Sequence, residues 1–540
     1  MSTLLIIAVV IALPTFIGVI ACRLLAWRTP FCETDWLDAP FVGAALIVIV
    51  LQNGFYADLP LRLTGWPFLA LTFGAAVPLA LIAGVRDVLR SFPVGPYGVA
   101  LAAYLWQGAG LLVLGSERYL GRAWQDQFNY TSLAEFVVTY GYSQRAAPGM
   151  LPFLQPATRF TDTRLGQSTL QGLFALAAGH PTRELFGPTI LWSIFLVALA
   201  VFALMSAAGV SRRVALLTAA VAAVLPSLAY IHLESFLSQA LGGAYLLYFL
   251  TVCDRAARTA QIVAYVKASL ILAGLCAVYL ELLPLAAACI GVLLVWNLWN
   301  RQHARWPAVA SLLLLASPFV FNMAHGFGGL VEFVTAPILG HIYPWAYDVE
   351  GLERLWIGDT VNTPVVQGSG AALALAIILT VAAYLGLLLH PMVALSRLRG
   401  AADRMRSTLV LGLLMLGIAA APWAVRLLDR QHPYQFYKLL LTTSPLLVCG
   451  LVLLLWMWGY TRGHPRAVLV SLLVCIGIGA ASSTMTMALA STQWSRTTGV
   501  PPRHFTMWTL APEYDLARRR LEAMQGKDLV LCVSEEHGGY

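Results

Sequence analysis

The sequence predicts an all-α, polytopic membrane protein, and three observations carry that prediction. Of its 540 residues 59% are hydrophobic and only 11% charged, about half the charged share of a soluble domain. The mean hydropathy is +0.75. Apolar runs such as Leu4–Ala21, Phe41–Tyr56, Leu191–Ala208 and Leu409–Val425 approach the roughly 20 residues that cross a hydrocarbon core as a helix. Hydropathy puts spans at 3–22, 39–57, 66–85, 94–115, 188–208, 214–231, 238–252, 261–280, 283–299, 306–323, 368–391, 407–427, 439–459 and 466–485, about fourteen helices. The first run is too long and too little basic at its start for a cleaved signal peptide, so it reads as a retained span.

The loops between these runs alternate in character. One set carries Arg23/Arg28, Arg86/Arg90, Arg212/Arg213, Arg255/Arg258, Arg301/Arg305, Arg397/Arg399/Arg404/Arg406 and Arg462/Arg466, and by the positive-inside rule it is cytoplasmic. The opposite set holds the long segments 116–187, 324–367 and 486–540 and most of the acidic residues. Both termini then lie outside. The expected organisation is a helical bundle over 1–485, with outer loops 116–187 and 324–367, and a short outer tail, 486–540, with a helix at Glu513–Met524 and a strand at Leu529–Val533. The Ala-, Leu- and Arg-rich composition points to a bacterial inner membrane, with the working face toward the periplasm.

The formal charge of +8 is spread over short inter-helix loops and is not interleaved with exposed aromatics, which excludes a nucleic-acid surface. Eight scattered cysteines without a CxxC or Cys/His cluster exclude a disulfide framework and a zinc site. No GxxxxGK[ST] motif occurs and no cytoplasmic loop would house a nucleotide-binding domain. The expected cofactor set contains no nucleotide, haem or flavin. GxSxG and HExxH motifs are absent as well, which argues against hydrolases.

Within the first long loop, Thr131–Tyr140 has an apolar stripe at helical spacing with Ser132 as its N-cap, and Gly166–Ala178 forms a second amphipathic stretch after Pro148, Pro152 and Pro156. Two short helices lying in the membrane interface are expected there. The second loop holds Tyr343-Pro344-Trp345-Ala346-Tyr347-Asp348, Glu350, Glu353 and Arg354. It is read either as interfacial anchors or as a lid.

Asp126, in Trp124-Gln125-Asp126-Gln127-Phe128-Asn129-Tyr130, has two readings. It is a solvated or helix-capping carboxylate, or an acid desolvated among aromatics and suited to act as a base. Glu234 sits in a very short outer turn between apolar runs, where His232 and Gln239 could orient it or a cation could pair with it. Glu281 is either a charge favouring the next helix's N-terminus or part of the site. The turn Arg430-Gln431-His432-Pro433-Tyr434-Gln435-Phe436-Tyr437-Lys438 is either a set of snorkelling cations or a clamp for a lipid phosphate, with Arg430, His432, Lys438 and Tyr434 as its groups. The spans hold almost no ionisable group near the bilayer midplane; Lys267, a near-cytoplasmic exception, is expected to snorkel.

An acid in the first large outer loop, interfacial helices in that loop, the Phe186-Gly187 pair before the next span and a further acid in a later outer turn together resemble the GT-C superfamily of integral membrane glycosyltransferases. That superfamily includes the protein mannosyltransferase, aminoarabinose transferase and arabinofuranosyltransferase groups. The likeness is one of architecture over roughly the first 300 residues and the turn near Lys438. It implies a polyprenyl-phosphate-linked sugar donor, a glycan, lipid or protein acceptor on the outer side and an inverting displacement. Asp126 would be the base, and Glu234 the second acid or the ligand of a magnesium or manganese ion. Glu117 is the fallback base, and Glu281 and Arg164 are secondary site residues. The chain departs from the family pattern in two ways: the acidic loop follows the fourth span instead of the first, and Asp126 has no adjacent acid. A polysaccharide polymerase or ligase, and a transporter or flippase of lipid-linked sugars, are the alternatives. A transporter would need ionisable groups near the bilayer midplane.

Overall fold

The computed structural model describes residues 2–25, 29–83, 85–116, 124–146, 161, 164–233, 236–299, 306–322, 352–357, 370–397, 402–428 and 433–492. Every regular element among them is helical. The first pair is α1 (Ser2–Leu25) and α2 (Glu33–Tyr56), followed by α3 (Leu61–Ala83), α4 (Val85–Arg90), α5 (Val94–Gln107) and α6 (Ala109–Leu114). The long loop contributes α7 (Trp124–Thr139), a 3-10 turn at Tyr142–Ala146 and α8 (Leu165–Ala178). Then come α9 (Thr182–Ala207), α10 (Arg212–Ala223), α11 (Pro226–Leu233), α12 (Leu237–Thr259), α13 (Ile262–Tyr279), a 3-10 turn at Leu280–Leu282 and α14 (Leu283–Trp299). The chain continues with α15 (Trp306–Asn322), α16 (Leu352–Ile357), α17 (Gly370–Arg397), α18 (Ala402–Leu428), α19 (Pro433–Thr461) and α20 (Pro465–Thr492).

By length and composition, eight helical stretches among the described residues can cross a membrane, or nine if α10 and α11, bent by 47°, form one span. The count of about fourteen is therefore not reached on that criterion. The difference lies in short or interrupted helices such as α5 and α6, which break at Gly108. One qualifying stretch, Ile262–Leu298, doubles back on itself. Asn297 near its end donates to the Tyr265 hydroxyl near its start at 2.8 Å, so α13 and α14 form a hairpin about the 3-10 turn.

The bundle is apolar inside and apolar outside. On α9 every residue from Glu184 to Met205 is buried, and on α12 all from Leu237 to Asp254. The outer helices instead expose large apolar side chains, such as Leu71 at 75% and Ile478 at 64%. A helix hydrophobic on all sides belongs in the core of a large bundle, and an exposed apolar face belongs against lipid. The α1–α2 pair is closer than ordinary side chains permit. A methyl group added at Gly18 or Gly43 would overlap the facing backbone at Ala39 and Pro14, the small-residue contact that membrane helices use in place of a hydrophobic driving force.

Three expectations about the first long loop change. The helix begins at Trp124, so Ser132 lies in the middle of α7 and is not its N-cap. Asp126 falls in the first turn of that helix. The second amphipathic stretch does form, as α8, but it does not lie in the interface. Every residue from Leu165 to Ala175 is buried, because α7, α2, α9, α3 and α13 surround it. Its Gln167, Ser168, Thr169 and Gln171, which read as the water-facing side, bond inside the protein.

The loop is anchored to the α2–α3 turn as well. Asp58 there accepts the Ser143 amide at 3.0 Å and its hydroxyl at 2.7 Å, and the Tyr56 hydroxyl donates to the Thr161 carbonyl at 2.9 Å. The tail expected from 486 begins later, since α20 runs to Thr492. The Glu513–Met524 and Leu529–Val533 elements lie outside the described residues, as does the second long loop apart from α16.

Candidate functional site

At the end of the bundle away from the arginine-rich loops, five elements meet through side chains. On α7, Tyr130 follows Asp126 by one helical turn, so the two positions share a face. The Tyr130 hydroxyl accepts a hydrogen bond from Ser238 on the first turn of α12 at 3.0 Å. Its carbonyl accepts one from Ser168 on α8 at 3.2 Å, and its ring stacks on Phe186. Next to Ser238, the Gln239 amide donates to the Lys438 carbonyl at 3.0 Å. The turn that carries Glu234 thus leads directly into a pair of residues that touch the Asp126 helix on one side and the Lys438 helix on the other.

Arg164, the N-cap residue of α8, forms an ion pair with Glu281 on the 3-10 turn between α13 and α14. Its guanidinium lies 5.6 Å from the centre of the Tyr279 ring. Gly166 is why α8 can come so close, since a methyl group there would meet the Ala277 carbonyl at 2.8 Å. Burial opposes the charge on Arg164. The Glu281 carboxylate more than offsets this, with further contributions from Tyr130 and Tyr279, so the guanidinium holds its proton more firmly than usual.

Several acceptors at this end have no donor. Glu281 Oε2, Gln167 Oε1, Gln171 Oε1 and Gln239 Oε1 are buried without a hydrogen-bond partner. The glutamine orientations follow from their amide nitrogens, which donate to the carbonyls of Arg164, Thr182 and Lys438 respectively, so the uncommitted atom is the oxygen in each case. Buried acceptors in this condition are matched by a ligand or solvent rich in O–H or N–H donors.

Among the expected site residues, Glu281 and Arg164 are brought together and Lys438 is joined to the α12 turn. Asp126 and Tyr434 lie on described helices, but their side chains are outside the described residues. Glu117, Glu234, Arg430 and His432 lie outside altogether. His232, expected to orient Glu234, is buried at the end of α11. Among the described residues no three His, Cys, Asp or Glu side chains converge as a metal site. The sequence reading did not single out Ser238, Gln167, Gln171 or Tyr279. A usable signal was present, since Gln167 and Gln171 recur at i and i+4, on one face of the helix.

The opposite end holds a second charged cluster that hydropathy did not suggest. Lys267 does not snorkel. It is buried, with its ammonium 2.6 Å from Asp35 Oδ1 and 2.7 Å from Asp38 Oδ2. Two carboxylates in the first turns of α2 hold it inside, where a paired ammonium replaces its hydration. Asp38 also accepts from Arg255 at 2.9 Å and 2.7 Å and from Tyr248 at 2.5 Å. Asp35 accepts the Cys32 amide at 3.0 Å, closing the N-terminus of α2. Two acids and two bases leave this cluster neutral.

A groove of about 620 Å³ runs between α1 and α3, lined by Ala8, Ala12, Phe16, Trp66 and Phe73 and reaching Ala177 at the end of α8. It is almost wholly apolar. Compared with known proteins, the chain matches no family model and no curated protein.

Proposed function

We propose that this chain is a membrane glycosyltransferase of the GT-C kind. It would move a sugar from a polyprenyl-phosphate donor to a glycan, lipid or protein acceptor at the bundle end away from the arginine-rich loops, the periplasmic face of a bacterial inner membrane. The observation that carries this reading is the network Lys438–Gln239–Ser238–Tyr130 beside Arg164 and Glu281. It sets the Arg164 guanidinium and the backbone of Lys438 beside uncommitted acceptors for hydroxyls, around the helix that bears Asp126. The α1–α3 groove, apolar and lateral, suits the isoprenoid chain. It reaches the far end of α8, a helix about 20 Å long, so a long lipid would bridge the two.

The chemistry is a single inverting displacement. Asp126 takes the proton of the acceptor hydroxyl as that oxygen bonds to the anomeric carbon, and the carbon–oxygen bond to the phosphate breaks on the opposite face. Polyprenyl phosphate leaves with the electron pair, and Asp126 ends protonated. Arg430, His432, Lys438 and Tyr434 would hold the phosphate and spread its developing charge. Positioning and charge stabilisation suffice, because the leaving group is already a good one. A magnesium or manganese ion, if one serves, would be held at Glu234 and neutralise the same phosphate.

A transporter of lipid-linked sugars gains no support from the buried charges. Asp35, Asp38, Lys267 and Arg255 all lie within about two turns of a helix end, far from mid-bundle. The test is transfer from a radiolabelled polyprenyl-phosphate sugar by the purified full chain. Asp126→Ala is expected to insert normally and lose transfer by about 100-fold or more, and Glu234→Ala to lose it substantially. Transfer at the normal rate by Asp126→Ala overturns the base assignment. Release of polyprenyl phosphate without acceptor dependence overturns the transferase.

A further inference from the structure

The segment 29–36, which joins α1 to α2 and includes the first turn of α2, fastens three helix ends that bring arginines to one corner of the arginine-rich end. The Thr29 carbonyl accepts from Arg23, in the last turn of α1, at 2.6 Å. The Glu33 carboxylate takes Arg212, the first residue of α10, at 2.7 Å. The Trp36 indole N–H donates to the Val88 carbonyl at 2.9 Å and so docks α4, which carries Arg86 and Arg90. Trp36 is itself held edge to face by Phe31, Phe92 and Tyr97. The Tyr97 hydroxyl donates to the Trp36 carbonyl at 2.7 Å. An aromatic hub at helix ends is an anchor at the boundary between membrane and water.

Arg213 follows Arg212, so Arg23, Arg86, Arg90, Arg212 and Arg213 stand here against Glu33 and Asp87, outside the neutral Lys267 cluster. Four of these arginines, those of α4 and α10, are exposed. Leu24, Leu89, Phe92 and Val94 expose large apolar side chains beside them. Cations alone suit any anion, but cations alternating with exposed apolar groups at the membrane boundary suit one that carries hydrocarbon. We propose that this corner binds an anionic phospholipid of the leaflet at the arginine-rich end. Its phosphate meets the arginines of α4 and α10, and its acyl chains lie on Leu89, Phe92 and Val94. Construction sets this corner apart from arginine merely spread over short loops, because a single segment fixes helix ends from three parts of the chain. The inference is independent of the glycosyltransferase reading, since no substrate enters it.

The test compares binding of phosphatidylglycerol and phosphatidylcholine, with the same acyl chains, to the purified full chain in mixed micelles, read by native mass spectrometry. The wild type is expected to bind phosphatidylglycerol about tenfold more tightly than phosphatidylcholine. Arg86→Gln and Arg90→Gln should each weaken phosphatidylglycerol about fivefold and leave phosphatidylcholine unchanged. Arg90→Lys, which keeps the charge, is expected to bind as the wild type does. Trp36→Phe keeps every arginine but loses the bond to Val88, and a folded Trp36→Phe protein should lose affinity by a similar factor. Arg466→Gln, in another arginine-bearing loop of the same end, should bind normally. Undiminished binding by Trp36→Phe, or an equal loss in Arg466→Gln, overturns the built corner in favour of diffuse charge. Equal binding of the two lipids by the wild type overturns the inference outright. Soluble glycerol phosphate that competes as well as phosphatidylglycerol overturns the lipid as occupant.

Discussion

The two ends of this bundle use the same chemistry, buried acids against buried bases, to opposite effect. At the arginine-rich end each oxygen of Asp38 meets a cation, and Lys267 bridges it to Asp35. At the other end Glu281 has one oxygen on Arg164 and the other on nothing. A saturated cluster is a fastening, since any change leaves an uncompensated charge. The Arg164–Glu281 pair stands instead at a helix N-terminus, near glutamine oxygens that have no donor. Saturation does not follow the two ends cleanly, because Asp254 at the arginine-rich end also meets Arg258 through one oxygen while its other oxygen is buried without a donor.

That comparison is broken most directly by neutralising the saturated acid. Asp38→Asn strands Arg255 and leaves Lys267 with Asp35 as its one carboxylate in the cluster, and a buried pair broken on one side costs about 3–5 kcal/mol. Thermal unfolding in detergent should fall steeply, and by clearly more than for Glu281→Gln, which removes one partner of Arg164. Equal losses for the two variants would remove the distinction drawn between the ends. A smaller effect is expected from Gly166→Val. Its side chain must push α8 off the Ala277 carbonyl, at about 1–3 kcal/mol for an overpacked contact. Because this separates Arg164 from Glu281, transfer should fall by more than the loss of stability explains, measured as kcat on the folded fraction.

The smallest expected effect is one of pH at the loop anchor. The hydroxyl and amide of Ser143 hold the Asp58 carboxyl below its ordinary range. A carboxylate with a depressed folded-state pKa adds stability that is fully present above its unfolded value, near 3.8, and is lost as pH falls through the folded one. Ser143→Ala should therefore lower the unfolding temperature slightly at neutral pH, and the gap to wild type should close in acid. A gap that stays constant down the pH range would mean that Asp58 is not the partner that matters.

Much of the helical framework was legible in the sequence, because long apolar runs have few other options in a bilayer and proline and glycine mark their breaks. Less of the site could be read. The alternation of the Arg-bearing loops separates the two ends; Glu281 stood out as an acid at the end of an apolar run and Lys438 as part of a basic, aromatic turn, while Arg164 was named only alongside the family resemblance. Lys267 shows where such reading stops. Hydropathy sees one lysine near a helix end and infers a route to water, whereas Asp35 and Asp38, which precede it by more than 200 residues, provide partners inside. The amphipathic pattern of α8 misled in the same way. Its polar stripe suggests water, but it meets the Thr131 hydroxyl and the backbone carbonyls of Tyr130 and Thr182 on neighbouring helices.

By itself the sequence determined that this is a bundle of apolar helices with a polar loop between early spans, because hydrophobicity and chain breaks are local properties. Tertiary structure alone decided which charges are paired, which acceptors are left open and that α8 is enclosed. Those outcomes depend on residues distant in the chain arriving at one point, such as Arg164 with Glu281 and Tyr130 with Ser238, and no local pattern encodes such meetings.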